Sequence, residues 1–124
     1  MTLSTISVHL DHTECCEART RLAVQLARLH GSHLMGIVPT WTTATAGTAV
    51  RGGGRLDEAI VEASLYSRRR AETVAHVFRS RTRPATFSCD ARLVDGDPVS
   101  AVVHHGRASD LIVVGQADVS AAVS

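Results

Sequence analysis

Asp110-Leu111-Ile112-Val113-Val114-Gly115 decides the fold of this 124-residue chain when it is taken with the turn Asp95-Gly96-Asp97-Pro98 before it. Four apolar residues between an aspartate and a glycine make a run too short for a buried helix, and two of the four are valine and one isoleucine. Such a run reads as a strand covered on both faces, the kind a parallel sheet uses. Ahead of it, Asp97 stands where a helix N-cap belongs and Pro98 at the first helical position, with Val99, Val102 and Val103 carrying a short helix to about Gly106. Further back, Phe87, Cys89, Ala91 and Leu93 alternate with Ser88, Asp90 and Arg92 after Arg83-Pro84. That alternation predicts a strand with one wet face, at a sheet edge.

The amino-terminal half repeats the pattern. Leu3 to Leu10 predicts a strand that Asp11-His12-Thr13 ends. Thr13 is placed to cap the next helix, with Glu14 and Glu17 near its positive end. Cys15, Ala18, Leu22, Leu26 and Leu29 give that helix an apolar stripe, and Gly31 closes it. His33 to Val38 predicts a second strand, stopped by Pro39, which completes a βαβ unit. Leu56, Ile60, Ala63, Ser67, Ala71, Val74 and Phe78 mark a long second helix across which Arg68-Arg69-Arg70 sits as a solvated face. Between them Thr40 to Arg55, with Gly52-Gly53-Gly54, reads as a loop; its glycines do not follow a strand and open a phosphate-binding turn.

The order β-α-β-α-β-α-β implies an α/β fold: an open, doubly wound, Rossmann-like parallel sheet with right-handed crossovers, as a single domain over residues 1–124. Ligands of such sheets sit at the carboxyl ends of the strands, where the strand order reverses. Asp11, Val38 to Thr40 and Gly115 to Asp118 come together there if the first and last strands are neighbours.

Composition narrows the function classes. Thirteen basic residues against twelve acidic ones leave a formal charge of +1, which argues against a nucleic-acid partner. No apolar run reaches the ~20 residues that span a bilayer, and the amino end carries no basic leader pattern, so a cytoplasmic location is expected. The chain has no lysine and no asparagine, so every one of the thirteen cations is arginine. A phosphoacceptor receiver domain, whose chemistry uses a lysine, is thereby excluded. A Rossmann dehydrogenase is excluded because no Gly-x-Gly-x-x-Gly follows the first strand. Three cysteines, with Cys15 and Cys16 adjacent, make no disulfide framework and fit a reducing compartment. His9, Asp11, His12, Cys15 and Cys16 are all zinc-ligand types but lack the paired spacing of zinc sites, so no metal is expected. Cys15 and Cys16 also lie near a helix N-terminus, where a thiol pKa can fall. His104-His105 has no serine–acid partner nearby and reads as a solvated pair.

The ordered set Val8-His9-Leu10-Asp11, Leu29-His30-Gly31, Ser32 to Val38, a long helix, Gly96-Asp97-Pro98 and Ala108 to Gly115 resembles the universal stress protein family over essentially the whole chain. The most specific part is Gly-Asp-Pro followed about a dozen residues later by Ser-Asp-Leu-Ile-Val-Val-Gly. One branch of that family binds ATP. The resemblance implies that Asp11 approaches the nucleotide, that Val38 lines the adenine pocket, and that Gly115 begins the phosphate-binding glycine signature. The signature's second glycine is replaced by Asp118, and its third falls four positions past Ser124. The sequence therefore looks like the branch without the ATP signature. The resemblance implies a non-catalytic stress-response binding or interaction module without a cofactor, the alternative being an ATP- or AMP-binding domain with weak or no hydrolysis. Family domains continue into a fourth helix and a fifth strand that commonly carries the dimer contact. The chain is accordingly expected to be incomplete at its carboxyl end, and a second copy or a partner protein to cover the edge at Leu111 to Val114.

Overall fold

The computed structural model describes residues 3–41 and 55–115. Seven elements follow in the expected order: β1 (Thr5–His9), α1 (Cys15–His30), β2 (His33–Pro39), α2 (Arg55–Thr82), β3 (Cys89–Val94), α3 (Pro98–Gly106) and β4 (Leu111–Val113). The strands form one parallel sheet in the order β3-β2-β1-β4. The Gly52-Gly53-Gly54 loop and Asp118 lie outside the described residues.

Period-two alternation sends Ile6, Val8, Leu34 and Val38 to one face of the sheet. With Leu10 they meet Ala23 and Ala27 of α1 and Ala71, Ala75 and Phe78 of α2. The helices present alanine to the sheet, which lets their backbones approach closely. Gly36 serves the same end: a Cβ there would stand 2.5 Å from Leu10 Cδ1 and 3.2 Å from a ring carbon of Phe78. The opposite face, with Ser7 and Ile37 fully buried, lies under α3, whose Gly106 leaves room for Ile112. Two helices on one face and one on the other make the sheet doubly wound.

The three-residue strand β4 is held to β1 by more than its ladder. The Asp110 carboxylate accepts from the backbone N–H groups of Ser4 (2.7 Å) and Thr5 (3.0 Å). The hydroxyls of Ser7 and Ser109 also bond to each other. At the start of α3, Asp97 is the N-cap and its carboxylate accepts from the Ser100 N–H, with Pro98 following. Gly31 ends α1 in the left-handed region at φ 63°, as a glycine there should.

Four details differ from expectation. The buried face of α1 is Arg19, Thr20, Ala23 and Ala27, whereas Leu22 and Leu29 are exposed. Both stripes fit a helical period, and the sheet selects the one whose small residues let α1 sit down on it. Thr13 does not cap α1: its hydroxyl and its N–H both go to Asp11, and the N-cap position falls to Glu14, which makes no side-chain cap. α2 runs for 28 residues, about 42 Å at the rise of an α-helix, longer than its apolar pattern marks. β4 is half-buried instead of fully buried, because β1 is its only neighbour among the described residues.

Gly36→Ala is expected to destabilise the fold by about 1–3 kcal/mol, since Leu10 and Phe78 are themselves buried and cannot yield. Urea unfolding checks this: the midpoint should fall while the slope stays that of the parent protein.

Candidate functional site

The chain reverses direction in the sheet between β1 and β4. It steps outward from β1 to β2 to β3, and α3 then carries it back to the far side of β1. The crevice at that reversal lies between the residues that follow β1 and those that follow β4. Arg19, from the buried face of α1, fills it. Its side chain is 8% exposed; Nη1 donates to the His9 carbonyl (2.7 Å) and lies 3.4 Å from Asp11 Oδ2. The rest of the guanidinium lies against Gly115, where a Cβ would fall 2.3 Å from Nη2 and 2.8 Å from Cζ. The absent side chain at Gly115 is thus the space an arginine occupies.

Asp11 is committed on both carboxylate oxygens. Oδ1 accepts from the Thr13 N–H (3.0 Å) and hydroxyl (2.6 Å), and Oδ2 faces Arg19. Burial pushes its pKa up, but the Thr13 hydrogen bonds and the charges of Arg19 and His9 outweigh that and hold it below the ordinary carboxylate range. His9 is held below the ordinary imidazole value, chiefly by burial and further by Arg19, against an opposing pull from Asp11. Two buried side-chain nitrogens without a hydrogen-bond partner are found among the described residues, His9 Nε2 and Arg19 Nε, and both belong to this crevice. Such atoms are what a polar ligand atom or a bound water satisfies.

Asp11 and Val38 line one small cavity of about 140 Å³, together with His9, Pro39, Trp41 and Pro98. Trp41 shapes its rim from the left-handed region (φ 64°), with its N–H donated to the Gly96 carbonyl (3.0 Å). A bulky residue there is strained, and the turn at Gly96 holds it. Gly115 does not line this cavity and reaches Asp11 only through Arg19. Cys16 is half-buried, with its Sγ accepting from the Asp11 N–H (3.4 Å), while Cys15 is exposed. Among the described residues no group of three or more histidine, cysteine or acidic side chains is placed to hold a metal ion. The rings of His104 and His105 meet edge to face at 4.9 Å, away from the crevice lining.

Sequence reasoning missed Arg19. The signal was its spacing: it lies three residues after Cys16, four before Ala23 and eight before Ala27, on the face that the sheet covers. An arginine on that face must find a partner, and the carboxylate that ends the first strand is the nearest available.

No protein-family model matches the sequence, and no curated protein matches it. Solved structures do. Universal stress protein UspA from Lactobacillus plantarum is 20% identical, with 94% of this chain and 79% of that chain covered at a TM-score of 0.67. A universal stress protein in complex with cAMP is 18% identical, with 93% and 77% covered at 0.66. A universal stress protein family protein from Arabidopsis thaliana with AMP bound is 13% identical, with 91% and 76% covered at 0.59. The chain therefore has the universal stress protein fold.

The shifted groups fix how acid acts on the fold. A histidine held below its ordinary value is neutral when folded, so its contribution is present above about pH 6.5 and is lost as pH falls from there. The depressed Asp11 carboxyl contributes above about pH 3.9 and loses that contribution as pH falls through its folded value. Urea midpoints are expected to drop as pH falls below about 6.5, and His9→Gln to shrink that drop without altering the later loss below about pH 3.9. Arg19→Ala should cost about 2–3 kcal/mol, less than for a fully enclosed pair because the Asp11 side chain is 21% exposed.

Proposed function

We propose that this chain is a non-catalytic, stress-response binding and interaction module of the universal stress protein type that does not take ATP. The observation that carries this reading is Arg19. Its guanidinium rests on Gly115, the position at which a glycine signature would begin to receive phosphates, and it engages the Asp11 carboxylate that would otherwise face a nucleotide. A triphosphate entering there must displace a nine-tenths-buried arginine from two partners, the His9 carbonyl and Asp11. Catalysis gains no support from the site, since the described residues around Asp11 offer no activated nucleophile paired with a base. A homo-oligomer or a partner protein as the working state is favoured by β4, an edge strand among the described residues with Val114 57% exposed beside it.

A second reading, a nucleoside monophosphate such as AMP as ligand, has one observation in its favour. Asp11 and Val38 do share a cavity, and the unpartnered His9 Nε2 and Arg19 Nε lie at that end of the sheet. Two solved structures of the same fold carry cAMP and AMP.

Calorimetric titration with ATP and Mg²⁺, with AMP in parallel, separates the readings. The proposal expects no heat and no rise in melting temperature with ATP at about 1 mM, a level at which even a weak site of about −4 kcal/mol is half filled. Micromolar ATP binding that Asp11→Ala abolishes would overturn it. Binding of AMP alone, weakened in Val38→Glu, would select the second reading.

A further inference from the structure

A second, larger hollow adjoins the small cavity and shares Leu10, Asp11, Thr13, Arg70 and Val74 with it. It is a groove of about 690 Å³ between the amino-terminal half of α1 and α2. Its floor is apolar, made by Leu10, Val74, Val77 and Phe78, with Cys16 and Thr20 along the α1 wall. Leu10 and Phe78 are buried core residues at its base, while Val74 is half-buried and Val77 exposed nearer the mouth, and its size falls within that of small-molecule sites. Glu17 and Arg81 bridge the two walls by an ion pair of 2.9 Å.

Charge is distributed unevenly at its lip. Of the arginines on α2, Arg68 pairs with Glu72 and Asp95, Arg79 with Asp90, and Arg81 with Glu17. Arg69 and Arg70 both line the groove and have no carboxylate partner among the described residues; Arg70 lies 5.6 Å from the Tyr66 ring centroid. On the facing wall Asp11 and Glu17 are taken by Arg19 and Arg81, which leaves Glu14 against two uncommitted guanidinium groups. The first turn of α1 stands at the same lip without a side-chain cap, and the positive end of the helix dipole adds to the potential there.

An apolar trough with two arginines at its mouth that have no carboxylate partner among the described residues suits a ligand of matching polarity. We infer that this groove binds an anionic amphiphile, a medium-chain alkyl carboxylate, with the chain along Leu10, Val74, Val77 and Phe78 and the carboxylate on Arg69 and Arg70. The planar guanidinium fork matches a carboxylate, and the floor offers an alkyl chain no polar group that would be left unpaired.

The test is calorimetric titration of the full chain with decanoate below its micelle concentration, with decanol as the uncharged control and methyl NMR of Val74 and Val77 as a second readout. Decanoate should bind tighter than about 1 mM, shift those methyls, and bind at least tenfold better than decanol. Arg69→Gln with Arg70→Gln should weaken it about tenfold while leaving decanol unchanged. Val77→Glu, or Thr73→Trp if that variant fails to fold, should abolish binding. Absence of binding at that concentration, equal affinity for decanol, or unchanged affinity in the arginine double variant would overturn the inference. So would a concentration-dependent dimer whose interface moves the Val74 and Val77 methyls, since the groove would then belong to a second copy.

Discussion

A single guanidinium fills the gap between β1 and β4 at their carboxyl ends. β1 and β4 share a three-residue ladder, which is little for an edge strand, and Arg19 spans the gap just beyond it. A buried cation is tolerable only if its surroundings answer it. The His9 carbonyl and the Asp11 carboxylate do so on one side, and the bare backbone of Gly115 admits it on the other. Three features that look independent in the sequence, an aspartate after the first strand, an arginine on the first helix and a glycine after the fourth strand, are parts of one arrangement.

That arrangement bears directly on what the fold can be used for. Open α/β sheets place their ligands where the strand order reverses, because two neighbouring crossovers leave a crevice there. Here the crevice holds part of the protein's own charge. The positive group that would attract a phosphate is present, but it is engaged to a carboxylate and pressed against the backbone. Open space lies instead to either side: the small cavity along β2 by Val38, and the broad groove between the two helices that share a face. No helix among the described residues is long and apolar enough to cross a membrane.

The all-arginine composition has a similar double meaning. Three of the α2 arginines, Arg68, Arg79 and Arg81, make ion pairs with neighbouring elements, Arg79 to β3 and Arg81 to α1 among them. Exposed pairs of this kind add little stability each. Glu17–Arg81 bridges the two walls of the groove. A run such as Arg68-Arg69-Arg70 reads as one solvated patch, yet Arg68 turns to Glu72 and Asp95 while Arg69 and Arg70 line the groove.

The sequence by itself determined the order of elements, the parallel sheet and the turn chemistry. Gly31, Pro39 and Asp97-Pro98 act within a few residues of themselves, and β-branched runs such as Leu111 to Val113 need no distant partner to favour strand. It also marked Asp11 and Val38, which the fold brings to one cavity. Which stripe of α1 faces the sheet was not legible, because a stripe of leucines and a stripe of alanines both satisfy the helical period. Only close packing over Ile6, Val8 and Leu34 prefers the smaller side chains. Once that choice is made, Arg19 is driven inward and Thr13 is drawn from its cap to Asp11. The order β3-β2-β1-β4, and with it the meeting of Asp11, Arg19 and Gly115 across about a hundred residues, was decided by the tertiary structure. Contacts between residues far apart in the chain depend on how the whole sheet closes on its helices, and no local pattern encodes that.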